Sequence, residues 1–327
     1  METTLHQPFT INFLFPLLHL LQELLTLSAS SQLPPALRGG VVSLGKFDGV
    51  HCGHASVLRR IRERSDQLGV PAIAVSFSVQ PIAVFKPRFA PVPLCTFARK
   101  AELISELGID TLVQIETDEK LLRLSAEEFF QLFFVEKMGA HTIIEGHNFL
   151  FGKNREGTPA LLRELCGRHG IALEIVPPIL AEGEEISSSR IRSLIQEGQI
   201  QAANLLLTRP YRLTGQVVHG DHRGRTLGFP TANLGEVQTI LPKPGVYACT
   251  CQVGDKIHPA AVNIGFNPTF AQETLKIESH LVGYQGDLYG QQLHVDFHRR
   301  IRDITKFESK EALIEQMNRD LLAVGSG

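Results

Sequence analysis

VVSLGKFDGVHCGHASVLRRIRERSDQLGVPAIAVSF, Val41 to Phe77, switches between two periodicities. VVSL reads as a buried strand, and Val57, Leu58, Ile61 and Leu68 then fall on one helical stripe. Arg59, Arg60, Arg62 and Arg64 mostly face away from that stripe. AIAVSF, Ala72 to Phe77, is a second strand. A strand, a glycine-bearing loop, an amphipathic helix and a further strand make a βαβ unit, which requires parallel strands. The alternation continues outward with a helix over Thr96 to Leu107 and a strand over Thr111 to Glu116. A helix through Phe129 and Phe133 and the strand Thr142 to Glu145 follow. Ligands of such sheets bind beyond the carboxyl ends of the strands.

Past residue 208 the rhythm changes. Tyr211 to His219, Val246 to Val253, Ala261 to Ile264, Leu275 to Val282 and Gln291 to Phe297 read as strands. GRTLGFP, LPKPG, GFNP and GDLYG punctuate them. This pattern predicts a compact antiparallel barrel closed by a helix over Ser309 to Leu322. The 327 residues suit two domains, with a boundary near Leu207 to Pro210. The predicted division is therefore an N-terminal extension over 1–39, an α/β domain over 40–207 and a β domain over 208–327.

Hydrophobic residues are 43% of the chain and charged residues 20%, the balance of an ordinary globular protein. A net charge of −2 gives no global attraction for nucleic acid or an anionic membrane, so neither is expected as a partner. Self-association is left open. Cys52, Cys95, Cys166, Cys249 and Cys251 form no CxxC pair, and a scattered odd set fits a reducing compartment. Cys249 and Cys251 lie two apart in a strand and are expected to pack on one face. Phe13 to Leu27 is apolar, but no Lys or Arg precedes it and Glu23 interrupts it. It is read as a helix packing on the domain, and the protein as cytoplasmic.

Two sets of residues carry chemistry. GKFDGVHCGH, Gly45 to His54, lies between the first strand and its helix. Gly45, Gly49 and Gly53 let a ligand approach the backbone. His51 and His54 bracket the helix N-terminus, where amide donors and the helix dipole favour phosphate. ISSSRIR, Ile186 to Arg192, opens a later helix, so Ser188, Ser189 and Arg192 form a second phosphate-binding candidate. Taken separately, each could be a turn or a helix cap.

In the second half, VVHGDHRGRTLGFPTANL spans Val217 to Leu234. Gly220, Gly224 and Gly228 make a flexible flap, and Arg223 and Arg225 charge it for phosphates. Thr231 and Asn233 supply hard oxygen ligands suited to Mg²⁺ beside ATP. Glu278, in a strand of apolar and small polar residues, is a candidate base for an alcohol that attacks a phosphate; the alternative is an edge-strand glutamate paired to a lysine. No GxxxxGK[ST] loop occurs.

These motifs resemble those of the bacterial bifunctional riboflavin kinase/FAD synthetase family. GKFDGVHCGH is similar to its GxFDGVHxGH, IEGHNFLFG to its VGxxFxFG and ISSSRIR to its ISSTRIR. TRPYRLTGQVVHGDHRGRTLGFPTANL, NIGFNPTF, the ESHL around Glu278 and RIRDITKF resemble its kinase half. FSVQP departs from the family's FEPHP, with Gln80 in place of histidine and Ser78 in place of an acidic residue.

The resemblance implies a Rossmann-like nucleotidyltransferase domain followed by a β-barrel kinase. It implies phosphorylation of riboflavin to FMN and adenylylation of FMN to FAD, with ATP as second substrate of both steps and Mg²⁺ as cofactor. By the same carry-over Gly45, Phe47, Gly49, Gly53, His51 and His54 meet ATP, and Asn148 meets substrate. Ser188, Ser189 and Arg192 would hold phosphate, as would Gly220, Arg223, Gly224 and Arg225. Gly228 and Phe229 would meet the flavin, Thr231 and Asn233 the metal, and Glu278 the riboflavin 5′-hydroxyl. Alternatives are a kinase whose first domain has lost catalysis, a non-catalytic flavin- or nucleotide-binding module, and a nucleotidyltransferase for another precursor.

Overall fold

The computed structural model describes residues 23–27, 33–78, 84, 87–220, 227–266 and 275–325. The chain divides into two compact units, Met1–Pro91 with Phe97–Ile179, and Val92–Thr96 with Leu180–Gly327.

The first unit holds a six-stranded parallel sheet. Its strands are β1 (Glu23–Leu27), β2 (Val41–Leu44), β3 (Ala72–Phe77), β4 (Thr111–Ile115), β5 (Thr142–Gly146) and β6 (Ala172–Val176). They lie in the order β1-β4-β3-β2-β5-β6, every pair parallel. From β2 the chain winds one way through β3 and β4, then crosses back to β5 and β6. The order therefore reverses between β2 and β5, and a crevice opens where their carboxyl ends part.

Alternate strand residues serve opposite layers. Val41, Ala72, Ala74, Leu112 and Ile144 pack with Val57, Leu58 and Ile61 of α1 (Cys52–Leu68) and with Ala101 and Ile104 of α2 (Phe97–Ser105). Val42, Ile73, Val75, Val113 and Ile143 pack on the other face. There Phe129 and Phe130 of α4 (Ala126–Phe130) meet Phe133 and Phe134 of the π-helical turn Gln131–Lys137 that continues it. Short α3 (Glu119–Arg123) precedes them, and Leu162 and Leu165 of α5 (Pro159–His169) complete the layer. Each fully buried Phe contributes about 1.5–3 kcal/mol of transfer free energy.

One expectation is corrected. Within the apolar run read as a helix, Glu23–Leu27 is strand β1, in register with β4 from Glu23 opposite Thr111 to Leu27 opposite Ile115. The open edge of β4 offers main-chain groups that a short apolar run satisfies as a strand, and periodicity cannot separate those two fates. Residues 13–22 lie outside the described residues.

The second unit begins with a two-residue hairpin, β7 (Leu180–Ala181) and β8 (Glu184–Glu185), then α6 (Ser188–Gln196) and α7 (Ile200–Leu206). A closed antiparallel barrel follows, of β9 (Tyr211–Val218), β10 (Ala232–Gly235), β11 (Gly245–Val253), β12 (Lys256–Phe266), β13 (Leu275–Leu281) and β14 (Gln292–Arg302). Its order is β10-β13-β12-β11-β14-β9, and β9 closes it against β10. Inward residues alternate along β9, with Tyr211, Leu213, Gly215 and Val217 buried. Cys249 and Cys251 share the inward face of β11, as their spacing predicts. Helix α8 (Lys310–Gly325) ends the described fold.

Helices α6 and α7, which the sequence assigns to the first half, belong to the second unit. Asn204 of α7 donates from Nδ2 to the Phe297 carbonyl (2.8 Å) and accepts the Tyr211 N–H at Oδ1 (2.9 Å).

Candidate active sites

In the first unit the Gly45–His54 loop leaves β2 at the crevice. Gly45 N–H is still donated to Val75 O of β3 at 2.9 Å. The loop then turns sharply: Phe47 has φ 46°, Gly49 φ 79° and Val50 φ 39°. Two non-glycine residues in the left-handed region store strain, and burial of Phe47 and Val50 holds them there.

His51 is the N-cap of α1, and its Nδ1 accepts the His54 N–H at 3.3 Å. That bond leaves the proton of a neutral His51 on Nε2. The two imidazoles stack at 3.6 Å between centroids, and Phe47 meets His54 edge-on at 5.5 Å. Burial pushes His51 down to about 4, against a raising backbone hydrogen bond. It pushes His54 well below its ordinary value, with further lowering from His51 and Lys100. His54 Nδ1 is buried with no hydrogen-bond partner among the described residues, as expected of a group awaiting a ligand. Gly53 lies in the first helical turn, where its carbonyl accepts from Ser56 Oγ at 2.8 Å.

Lys100 of α2 is a cation that the motifs did not single out. Its Nζ donates to Ser76 Oγ at 3.1 Å, and Ser76 Oγ reaches Lys46 O at 3.3 Å. In FARKAELIS it looks like any solvated helix cation, and only the fold brings its charge to bear on His54. Asn148 is exposed in the turn after β5, on the other side of the crevice. Ser78, just past β3, is occupied by accepting the N–H of Thr117, just past β4, at 3.1 Å. Gln80 lies outside the described residues.

In the second unit Ser187 caps α6 by accepting the Arg190 N–H, which leaves Ser188 and Ser189 in the first turn. Arg192 donates Nε to Val92 O at 2.9 Å. The structure thus joins His51 with His54 in one unit, and Ser188, Ser189 and Arg192 in the other.

A cavity of about 350 Å³ lies beside the barrel. Its lining combines the polar Thr231, Asn263, Lys276, Glu278, His280, Arg302, Thr305 and Asp320 with the apolar Ile304, Phe307, Leu313, Met317 and Leu321. Glu278 stands in register with Asn233 of β10 and Asn263 of β12, and Asn263 Nδ2 reaches its Oε2 at 3.5 Å. Strand β13 lies between β10 and β12 in a closed barrel, so Glu278 is not an edge-strand residue.

Behind it, His280 Nδ1 donates to Pro230 O at 2.8 Å and its ring meets Phe229 at 5.7 Å. His280 therefore holds the turn that carries Phe229 and Thr231. Gly228 sits in that turn with φ 85°. Gly220 lies against Asn233: a Cβ there would come within 2.3 Å of the amide, so only glycine permits this approach. Arg223, Gly224 and Arg225 lie outside the described residues. Among the described residues no three His, Cys, Asp or Glu side chains are grouped to hold a metal ion, and no helix is long and apolar enough to cross a membrane.

Comparison with known proteins agrees with this geometry. The family model described as FAD synthetase matches residues 33–190, and that described as Riboflavin kinase matches residues 207–325. The bifunctional riboflavin kinase/FMN adenylyltransferase of Pseudomonas fluorescens is 36% identical over 89% of this chain and 94% of its own. That of Bacillus subtilis is 34% identical, covering 86% and 90%. A crystal structure named as a macrolide-efflux protein of Streptococcus pneumoniae superposes with a TM-score of 0.84 at 30% identity, covering 92% of this chain and 99% of that one. Two matched domains in this order and relatives alike over nearly their whole length make the chain a member of the bifunctional riboflavin kinase/FMN adenylyltransferase family.

Proposed function

We infer that the chain converts riboflavin to FMN and FMN to FAD, using ATP in each step. The observation that carries the first step is a carboxylate, Glu278, in the lining of a cavity that also presents apolar side chains. The apolar side chains suit a flat ring system, and the polar ones the ribityl chain and phosphates. Glu278 takes the proton of the riboflavin 5′-hydroxyl as that oxygen attacks the γ-phosphorus, and ADP leaves. Asn263 orients the carboxylate, and His280 fixes the turn bearing Thr231.

The Thr231 hydroxyl and the Asn233 amide oxygen are hard donors, too few to cage an ion alone, which fits Mg²⁺ held jointly with water and phosphate oxygens. When bound there it would neutralise phosphate charge. Gly220 and the flap residues Arg223, Gly224 and Arg225 would cover the phosphates, with Gly228 and Phe229 against the flavin.

In the second step an FMN phosphate oxygen attacks the α-phosphorus of another ATP and pyrophosphate leaves. Neutral His51 and His54 donate hydrogen bonds to the developing charge beside the α1 N-terminus. Gly45, Phe47, Gly49 and Gly53 shape the nucleotide's seat, with Asn148 on substrate. Ser188, Ser189 and Arg192 bind phosphate. Neither step uses a covalent enzyme intermediate. The proposed functional division is 40–207 and 208–327, which assigns Ser188, Ser189 and Arg192 to adenylyl transfer although α6 packs in the second unit. Five cysteines outside any disulfide, four of them buried, support a reducing cytoplasm. The partners are the small molecules ATP, riboflavin and FMN.

The test is to incubate the protein with riboflavin, excess ATP and Mg²⁺ and to resolve the flavins chromatographically over time. FMN rising first and then giving way to FAD is expected. FMN accumulating without FAD would reject the second activity, and no product from folded protein would reject both.

A further inference from the structure

Strands β2 and β5 flank the crevice, yet their ladder pairs only Val41 with Thr142 and Val42 with Ile143. Beyond those pairs the main chains part, while β2 must still deliver the Gly45–His54 loop. A side chain takes over where the ladder stops. Glu145 Oε1 accepts the Leu44 N–H at 2.7 Å, and Oε2 accepts from Ser43 Oγ at 3.2 Å. Glu145 is 3% exposed, a costly place for a carboxyl group in a strand interior. Leu44 is the last residue before the loop, and Glu145 lies three positions before Asn148.

We propose that Glu145 is a positioning residue for adenylyl transfer, whose carboxyl ties the root of the Gly45–His54 loop to the strand that carries Asn148. This rests on the reading that the first unit transfers adenylyl groups. The anchor adds to the burial of Phe47 and Val50, whose left-handed backbone makes the loop a strained path. Burial raises the Glu145 carboxyl well above its ordinary range, against the lowering hydrogen bonds from Leu44 and Ser43. The titratable group facing it is the Cys166 thiol of α5, itself pushed up to about 11 by burial and by Glu145. Both hydrogen bonds favour the carboxylate, so the anchor does not depend on the group being neutral.

The experiment follows FAD formation from FMN and ATP by the full chain and by its Glu145→Gln and Glu145→Met variants. FMN formation from riboflavin is measured in the same samples, and hydrogen exchange at the Leu44 amide in each protein. Met keeps the length but removes the acceptor; it is expected to lower kcat/KM for FAD formation by about 10- to 100-fold and to speed Leu44 exchange, with FMN formation unchanged. Gln keeps an acceptor for Leu44 and is expected to restore most of the activity.

Wild-type kcat/KM in Glu145→Met would overturn the proposal, as would equal impairment by Gln and Met. If Glu145→Met does not fold, Ser43→Ala decides: lower kcat/KM for FAD formation with FMN formation unchanged supports the tie, and wild-type kcat/KM for FAD formation rejects it. Wild-type protein that makes FMN but no FAD would reject the underlying reading instead. The exchange rates then judge the tie by themselves: faster at Leu44 in Glu145→Met if it exists, unchanged if it does not.

Discussion

On the proposed mechanism Glu278 is a base, and His51 and His54 are imidazoles that burial holds neutral. Glu278 has to accept a proton, so Glu278→Gln keeps the shape and removes the base. FMN formation is expected to fall by about 10²- to 10⁴-fold with an unchanged thermal transition, and near-normal turnover would dismiss that role. In the proposed second step His54 offers a ring N–H to the departing anion. His54→Asn is expected to reduce kcat for FAD formation by about 10²- to 10³-fold while FMN formation in the same sample continues.

The histidines also bear on stability. His51 is held near 4 in the fold against about 6.5 when free, so between those values the unfolded chain binds more protons than the native one. This contribution is intact above about pH 6.5 and is lost as the pH falls toward 4. Thermal unfolding of His51→Gln should accordingly depend less steeply on pH across that interval than wild type does.

At the scale of elements, the strands and helices from Val41 to Phe77 were legible because their periodicities are clean and the two ends of the loop differ in kind. Strand β1 was not, since an apolar run that pairs through its backbone carries no distinctive side-chain period. Strand β10 hid inside PTANL, whose polar residues read as ligands, although Asn233 has a register partner on each side. Strands β12 and β14 extend past their apolar stretches through Lys256, His258, His298 and Arg300, because a barrel's outer face tolerates charge while its hydrogen bonds continue. The aromatic layer over the parallel sheet was only partly foreseen, through Phe129 and Phe133. Phe130 is fully buried between Phe134 and the sheet's lower core, so Phe130→Ala is expected to cost about 3–5 kcal/mol in chemical denaturation of the first unit.

At the scale of the whole molecule, both sites could be located by motif, but their supports could not. Lys100, His280 and Glu145 sit in ordinary-looking segments, and each becomes informative only through a distance that folding creates. The sequence boundary likewise followed the change from helices to strands, whereas packing groups α6 and α7 with the barrel. Asn204 joins them through two hydrogen bonds, so Asn204→Ala is expected to lower the second unit's stability by about 1–3 kcal/mol in urea titration.

The short segment Val92–Thr96 interrupts the first unit in sequence, yet it belongs to the second, where Pro93 O accepts the Ile240 N–H at 3.0 Å and Val92 O accepts from Arg192. Two enzymes merely spliced end to end would be joined by a single crossing of the chain. Here the polypeptide makes three passages between its units, and a protease nick near residue 207 would leave the halves laced together rather than set them free.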